Sequence, residues 1–467
     1  MVFSSLEFIF RFLPVFLISY YVVPVRFRNA VLFLGSLCFY AWGDLKYLFL
    51  ILISILINYT AVHMMKRYEG VKTERKIWLA IALSYNIGML VFFKYINFIL
   101  ENINVLRGTF FDGGAFPLPE LGLPLGISFY TFQAVSYVVD AYKSQGKNNS
   151  SLLQFAAYLT MFPKLVSGPI VSYGDMEEQL TDRKFSFFKF EKGLKLFTVG
   201  LGMKVLLANR LGILWNDIQT IGFESISTPL AWLGSVGYSL QLYFDFQGYS
   251  LMAIGVGRML GFHLPDNFNH PYMAKSMTEF WRRWHITLGM WFRQYVYIPL
   301  GGNRKGKGRL VLNLLVVWLL TGLWHGAGWN FILWGLVLFL LILMEKLYFK
   351  PVLERSKLLA RIYMLLAIPL TWTLFATGSL SAAGSYFGRL FGVVPGINVN
   401  TSDFIKYFGQ FKWLILVGCF FCFPYGRKLY LKYQNHILMT VILFVIFWYS
   451  VYQMAIGNNN PFLYFQF

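Results

Sequence analysis

The sequence predicts an all-α polytopic membrane protein, and three observations predict it. Hydrophobic residues make up 57% of the 467-residue chain and charged residues only 13%, against roughly 45–50% and about 25% in soluble globular domains. Apolar runs of membrane-crossing length recur along the whole chain. Lys and Arg, whose excess gives a formal net charge of +20, gather in short loops between those runs, as cytoplasmic loops do. That clustering favours a membrane surface over nucleic acid. An aromatic share of 19% suits interfacial belts of Trp and Tyr. Disorder, collagen, coiled coil and a disulfide-stapled fold are excluded, the last because the cysteines number three, an odd count. Cys419 and Cys422 read as small apolar filler inside the run Trp413 to Phe423.

Each element follows from its composition and flanks. The first run, Phe8 to Val25, has no basic leader and no small-residue cleavage site, so it is expected to remain as the first span. Runs follow near Ala30, Tyr47 and Ile77, with a cytoplasmic loop holding Lys66, Arg67, Lys72, Arg75 and Lys76. Glu101 to Gly122 carries only Arg107 and reads as outside. A run near Leu123 returns the chain to the loop Tyr142 to Asn149. The next segment, Leu152 to Val171, lies between two loops read as cytoplasmic and holds Pro163, Lys164, Gly168 and Pro169. A broken, re-entrant segment fits this parity, and such backbone is tolerated at membrane depth only within protein or beside a wet cavity.

Runs near Leu194 and Pro229 enclose Asn216 to Thr228, which has no Lys or Arg. Leu310 to Met344 is again flanked by basic loops, so it must enter and return, turning at Gly326-Ala327-Gly328. Its first limb, of about 15 residues, measures roughly 22 Å at 1.5 Å per residue, so the turn is expected inside the bilayer. Beyond the basic loop Lys346 to Arg361 come a span near Leu358 and an outside loop, Ser379 to Gln410, with a short amphipathic helix at Ala383 to Phe391. Spans near Phe411 and Ile437 bracket Arg427, Lys428 and Lys432, and the tail after Ile456 has no Lys or Arg. The count is about twelve spans of roughly 20 residues, with both termini outside. The whole chain, 1–467, reads as a single integral-membrane domain: N-terminal helices in 1–150, a core with re-entrant segments in 151–378, and C-terminal helices in 379–467.

Ionisable groups at membrane depth default to a functional hypothesis. His325 is the leading one, set at the expected turn between Trp324 and Trp329. Removal from water favours the neutral imidazole that a general base requires. A structural histidine bonded to a backbone carbonyl is the alternative. The second group lies in Asp266 to Arg309, where Ser276 to about Tyr297 is expected to be one helix opened by Ser276 and Glu279 in a capping-box pattern. Arg282, Arg283 and Arg293 suit an anionic donor, because guanidinium binds phosphate in bidentate fashion; an interfacial amphipathic helix is the plain alternative. Arg304 joins them in the next basic loop. Gly301 to Gly308 mimics a Walker A loop but has Gly308 where the Mg²⁺-binding hydroxyl belongs. Gly255-x-Gly257-x-x-x-Gly261 reads as a helix-packing stripe. Asp245 lies at the end of its apolar run and reads as a cavity wall. Neither a metal-binding motif nor a Ser nucleophile motif occurs, so no metal or bound cofactor is expected.

The motifs Phe162-Pro163-Lys164-Leu165-Val166-Ser167-Gly168-Pro169-Ile170, Tyr243-Phe244-Asp245-Phe246-x-Gly248-Tyr249-Ser250 and Phe280-Trp281-Arg282-Arg283-Trp284-His285 carry a resemblance to a known family. So do Ile298-Pro299-Leu300-Gly301-Gly302-Asn303-Arg304, Gly322-Leu323-Trp324-His325-Gly326-Ala327, and the tail Pro461 to Phe467. The sequence resembles the membrane-bound O-acyltransferases, in the branch of the alginate O-acetylation membrane protein. Leu251, Gln294 and Ala376 depart from that branch's usual residues.

The resemblance implies a ring of tilted helices around a central passage in a bacterial cell membrane. His325 would lie on its floor and His285 on the cytosolic side, with Trp324, Asn330 and Asp245 lining it. It implies acyl transfer, in this branch usually of acetyl, from a cytosolic thioester donor such as acetyl-CoA or an acyl carrier protein. The acceptor would be an exopolysaccharide or cell-wall glycan, reached with an extracytoplasmic acyltransferase or esterase-like partner; membrane lipid is a partner and nucleic acid is not. A transporter or flippase of a glycan or its lipid carrier, without covalent chemistry, is the rival reading, since broken helices serve transporters too. A histidine at a glycine turn and the lack of a visible inverted repeat favour the enzyme.

Overall fold

The structure, a computed structural model, describes residues 1–110, 114–144, 150–304, 306–457 and 463. Residues 111–113, most of the expected loop 142–149, Lys305 and nearly all of the tail 458–467 lie outside the described residues, as do the expectations placed on them. Among the described residues the chain is helical throughout, with no strand. Eight segments among the described residues are long and apolar enough to cross a membrane: Val25–Arg67, Lys72–Phe110, Phe187–Ile221, Gly306–His325, Trp329–Arg355, Lys357–Ala376, Asp403–Cys422 and Ile437–Ala455. The protein is therefore all-α and polytopic. Val25–Arg67 is two helices, because Asp44 leaves helical geometry at φ −159°, ψ 72°.

Two compact units form, one from Met1–Leu194 with Ala253–Pro265, the other from Lys195–Met252 with Asp266–Phe467. The first contains α1 (Leu13–Val22), α2 (Arg28–Asp44), α3 (Leu48–Arg67), α4 (Lys72–Phe110), α5 (Ile127–Lys143), α6 (Leu152–Thr160), α7 (Phe162–Leu165) and α8 (Tyr173–Thr181). Helix α4 has 39 residues, or roughly 58 Å at 1.5 Å per residue, about twice a hydrocarbon core of ~30 Å; it must tilt steeply or stand beyond the bilayer. The core of this unit is aromatic: Phe3, Phe8, Phe39 and Phe162 are fully buried. The segment expected to be broken is broken. Ser151 caps α6 with a complete capping box, the helix stops at Met161 (φ −46°, ψ 105°), and every residue from Phe155 to Val171 is buried. Gly168 is required there, since a Cβ would lie 2.4 Å from Lys164 Cα. The ammonium of Lys164 is held by Gln133 Oε1 and lies 3.7 Å from the Tyr158 ring centre.

Two helices run through the boundaries between units, α9 (Phe187–Gly202) and α11 (Thr228–Met259). The second unit holds the second half of α9, then α10 (Asn209–Ile221), most of α11, α12 (Met277–Arg283), α13 (Ile286–Phe292), α14 (Gly306–His325) and α15 (Trp329–Met344). It continues with α16 (Lys350–Arg355), α17 (Lys357–Ala376), α18 (Leu380–Leu390), α19 (Asp403–Cys422), α20 (Pro424–Tyr433) and α21 (Ile437–Ala455). The expected helix at Ala383 to Phe391 is α18, begun three residues earlier. Small residues bring helices together backbone to backbone, as in membrane packing generally. A Cβ on Gly200 would lie 2.5 Å from Gly248 O, and one on Gly193 2.5 Å from Gly255 O. Gly255 thus does serve helix packing, as its spacing suggests.

One expectation is corrected by the backbone. Ser276 to Tyr297 is not one helix: α12 ends at Arg283 and α13 begins at Ile286. The reason is competition for backbone hydrogen bonds. Arg283 O accepts from Asn269 N at 2.9 Å, and Ile286 N donates to Asn267 O at 2.9 Å, so the preceding loop supplies the partners that a continuous helix would supply.

Asp245 also departs from expectation, lying in the middle of α11 rather than at the end of its run. It is 1% exposed, ion-paired to Lys204, and accepts from Leu463 N at 2.8 Å. Removing one partner of such a buried pair costs about 3–5 kcal/mol, whereas replacing both with apolar residues is often neutral. Asp245→Asn is therefore expected to lower the melting temperature of the purified protein sharply, and Lys204→Met with Asp245→Leu to recover most of it. Equal melting temperatures for wild type and Asp245→Asn contradict a structural role for the pair.

Helices α14 and α15 form the in-and-back hairpin expected from the loop charges. Their axes meet where a Cβ on Gly322 would lie 2.4 Å from Phe331 O and one on Gly335 2.5 Å from Trp318 O. Overpacking of this kind costs about 1–3 kcal/mol. Gly322→Ala is expected to destabilise the protein in thermal unfolding, while Gly384→Ala in α18, where a Cβ meets nothing within 4 Å, leaves the melting temperature unchanged or raised. Equal behaviour of the two variants removes the hairpin contact as a determinant.

Candidate active site

The site is built on the hairpin tip. His325 is the last residue of α14 and is buried at 3% exposure. The chain reverses through Gly326 to Gly328, and at both glycines a side chain is excluded: a Cβ on Gly326 would lie 2.1 Å from the Phe331 ring, and one on Gly328 2.7 Å from Asn330 Oδ1. Aromatic rings pack around the imidazole. Trp324 lies 4.8 Å away between centroids, Trp334 5.0 Å and Phe375 5.3 Å, the last two nearly perpendicular at 87° and 85°. Trp329, the expected second flank, is 54% exposed, and Trp334, five residues further along α15, packs against the imidazole as well.

His285 occupies the break between α12 and α13. It is 2% exposed and adopts a left-handed backbone at φ 43°, a conformation that β-carbon-bearing residues hold only where surroundings impose it. Asn267 imposes it, its backbone O accepting from Ile286 N and its side-chain Oδ1 accepting from Thr287 Oγ1 at 2.7 Å. The imidazole packs perpendicular to Phe246 at 4.7 Å and lies 5.9 Å from Trp324. Trp324 therefore contacts both histidine rings, and the two residues 40 positions apart in the sequence share one aromatic enclosure. Beyond it Trp281, Trp334 and Trp372 continue the wall, with centroids 5.6–5.9 Å apart. Asn330, at the start of α15, is 1% exposed, and its Nδ2 has no acceptor among the described residues.

The basic residues differ in availability. Arg282, Arg293 and Arg304 are exposed. Arg283 is paired with Glu279 on its own helix at 2.6 Å, both side chains about a third exposed. Ser276 Oγ accepts from Glu279 N at 3.0 Å, but the Glu279 carboxylate takes Lys275 N at 2.8 Å rather than Ser276 N, so the expected capping box is half formed. The loop before α14 is pinned by Arg309 Nε and Asn313 Nδ2, which donate to Leu300 O and Gly302 O at 2.8 Å each. Asp245, expected to line the passage, has its carboxylate taken by Lys204 and Leu463. Among the described residues, no three His, Cys, Asp or Glu side chains converge in a way that would hold a metal ion.

Sequence reasoning missed Asn267, Trp334 and Phe375. Asn267 had a signal, the turn-forming run Pro265-Asp266-Asn267-Phe268-Asn269-His270-Pro271, in which Asn side chains bond backbone. Trp334 and Phe375 had none, since apolar rings in apolar helices carry no local mark of the face they occupy.

The family model described as MBOAT, membrane-bound O-acyltransferase family, matches residues 128–387, which contain both histidines. The chain is 34% identical to a probable alginate O-acetylase, AlgI, of Pseudomonas putida, over all of both chains. It is 42% identical to the probable alginate O-acetylase AlgI of Pseudomonas aeruginosa, over 72% of this chain and 64% of that one. It is 32% identical to a peptidoglycan O-acetyltransferase of Helicobacter pylori, over 100% of this chain and 98% of that one. The chain, an all-α multi-pass membrane acyltransferase, thus belongs to the membrane-bound O-acyltransferase family.

Proposed function

We propose that this protein moves an acetyl group from a cytosolic thioester, acetyl-CoA or an acyl carrier protein, toward a hydroxyl of an extracytoplasmic polysaccharide or cell-wall glycan. It would work in a bacterial inner membrane with an extracytoplasmic acyltransferase or esterase-like partner completing delivery. The observation that carries the reading is the aromatic enclosure in which Trp324 touches both His325 and His285. The names of the full-length relatives, an alginate O-acetylase and a peptidoglycan O-acetyltransferase, support an acetyl group and a surface glycan. The basic loops 66–76, 304–309 and 346–361 face the cytosol in this reading.

In the proposed step His325 accepts the proton of the acceptor hydroxyl as its oxygen attacks the thioester carbonyl. The tetrahedral intermediate collapses, the C–S bond breaks, and the departing thiolate takes the proton from the imidazolium. An ester and a free thiol result. The surrounding rings exclude water, which would otherwise compete as acceptor. Asn330 Nδ2 supplies an N–H on the same hairpin, and His285 with the exposed arginines orders the donor side.

Loss of a general base costs about 10²–10⁴-fold in rate. His325→Ala is expected to remain monodisperse and folded but to transfer no measurable label from radiolabelled acetyl-CoA in proteoliposomes with acceptor glycan. His285→Ala is expected to retain weak turnover. Near wild-type transfer by folded His325→Ala overturns the mechanism, and glycan movement without label would establish the transport reading instead.

The exposed arginines generate a second expectation. Arg282→Gln and Arg304→Gln should raise the donor KM more than they lower kcat, and added salt should mimic them in wild type, because screening weakens exposed charge. If Arg304→Gln alters membrane insertion while donor kinetics stay unchanged, the arginines anchor the protein at the membrane surface and do not steer the donor.

A further inference from the structure

Glu345 is a buried carboxylate that the proposed chemistry does not use. It is 3% exposed, just past the end of α15. Its oxygens accept from Met277 N, from Thr278 N at 2.9 Å and Oγ1 at 2.7 Å, and from Tyr363 Oη at 3.1 Å. Met277 and Thr278 open α12, the seven-residue helix that ends in the His285 break.

The first N–H groups of any helix have no partner within it. In α12 all of the first three are assigned, two to Glu345 and the third, Glu279 N, to Ser276 Oγ. The segment just before it is held as well, since Arg361 Nη1 donates to Met273 O at 2.6 Å and Ala274 O at 3.3 Å. At its far end Arg283 O takes Asn269 N at 2.9 Å. A helix of seven residues has no stability of its own. Its place is set by these end contacts, and the N-terminal ones come from the hairpin's return limb and from α17. The limb that begins beside His325 therefore ends by holding the helix that presents Arg282 and leads into His285.

We propose that Glu345 is a positioning residue for the donor side of the site, acting through α12 on Arg282 and His285. This rests on the acyltransfer reading above. Replacing the carboxylate by an amide turns an NH₂ toward at least one of the N–H and O–H donors it now accepts, which leaves a buried donor unsatisfied. α12 then loses its anchor while the α14–α15 contact at Gly322 and Gly335 stays intact.

The test uses the full-length protein in proteoliposomes with acetyl-CoA as donor and thiol release as readout. Glu345→Gln is expected to raise the donor KM about tenfold or more, as small misplacements of reacting groups do, with a lesser change in acceptor KM. Glu345→Asp keeps the charge and is expected to restore part of it. Asp403→Asn is the stability control, because Asp403 is likewise buried and accepts from Ser227 N at 2.8 Å in another part of the unit; it should lower the melting temperature without moving the donor KM. A wild-type donor KM in Glu345→Gln, or an equal shift in Asp403→Asn, overturns the proposal. Hydrogen exchange of amides 277–283 reports the clamp whatever the chemistry. Faster exchange confined to that segment in Glu345→Gln is expected, and unchanged exchange overturns the proposal by itself. Absence of thiol release in wild type, with the exchange result as expected, defeats acetyl-CoA as the donor and leaves the clamp standing.

Discussion

The contact between Gly322 and Gly335 sets the position of everything chemical in this protein. Where two helices carry no β-carbons their backbones approach closely, and in a bilayer that approach rather than solvent exclusion holds them together. Here a Cβ on either glycine would meet backbone at about 2.5 Å. The pairing fixes the hairpin's register, so that α14 ends in His325 and the return limb brings Trp334 against it. A slip of one residue would rotate each helix by about 100° and turn the imidazole out of its rings.

A second constraint follows from the low dielectric. Charges and backbone groups removed from water need partners, and the protein supplies them from distant parts of the chain. Lys204 and Asp245 meet between α11 and the segment that follows α9, beside the Gly200–Gly248 contact. Glu345 takes the free N–H groups of α12, and Asp403 those of Ser227 and Phe404. Asn267 and Asn269 take up the backbone groups freed by the break at His285. Each irregularity thus has an assigned partner, and the left-handed backbone of His285 persists because its neighbours determine it.

The two constraints meet in function. A histidine acting on a thioester needs a dry enclosure and a second group held at fixed distance from it. The enclosure comes from rings on several helices, Trp324, Trp334 and Phe375 around His325 and Phe246 beside His285. The fixed distance comes from polar clamps at the ends of short helices. Rigid packing and buried hydrogen bonds therefore serve the same end by different physical means.

Much of this was legible in the sequence, and the rest was not, for a definite reason. Hydrophobic runs, basic loops and turn glycines are local, so the all-α membrane class, the hairpin turning at Gly326 to Gly328 and the broken segment Leu152 to Val171 follow from residues within a few turns of one another. His325 stood out because an ionisable group at a glycine turn in an apolar run is locally anomalous. The interruption at His285 was missed, since local pattern favours a continuous helix from Ser276 and only the loop carrying Asn267 and Asn269 diverts its hydrogen bonds. The Asp245 ion pair is not legible locally, because Lys204, 41 residues earlier, leaves no trace in the surrounding pattern. Glu345 was invisible for the same reason, its partner Met277 lying 68 residues away. The sequence by itself determined the helical membrane class, the glycine turn of the hairpin and which residues are chemically unusual, because those properties depend on neighbours along the chain. Only the tertiary structure decided which donor meets which acceptor and which ring faces which histidine, because those pairings depend on how helices pack, and packing is settled between segments rather than within them.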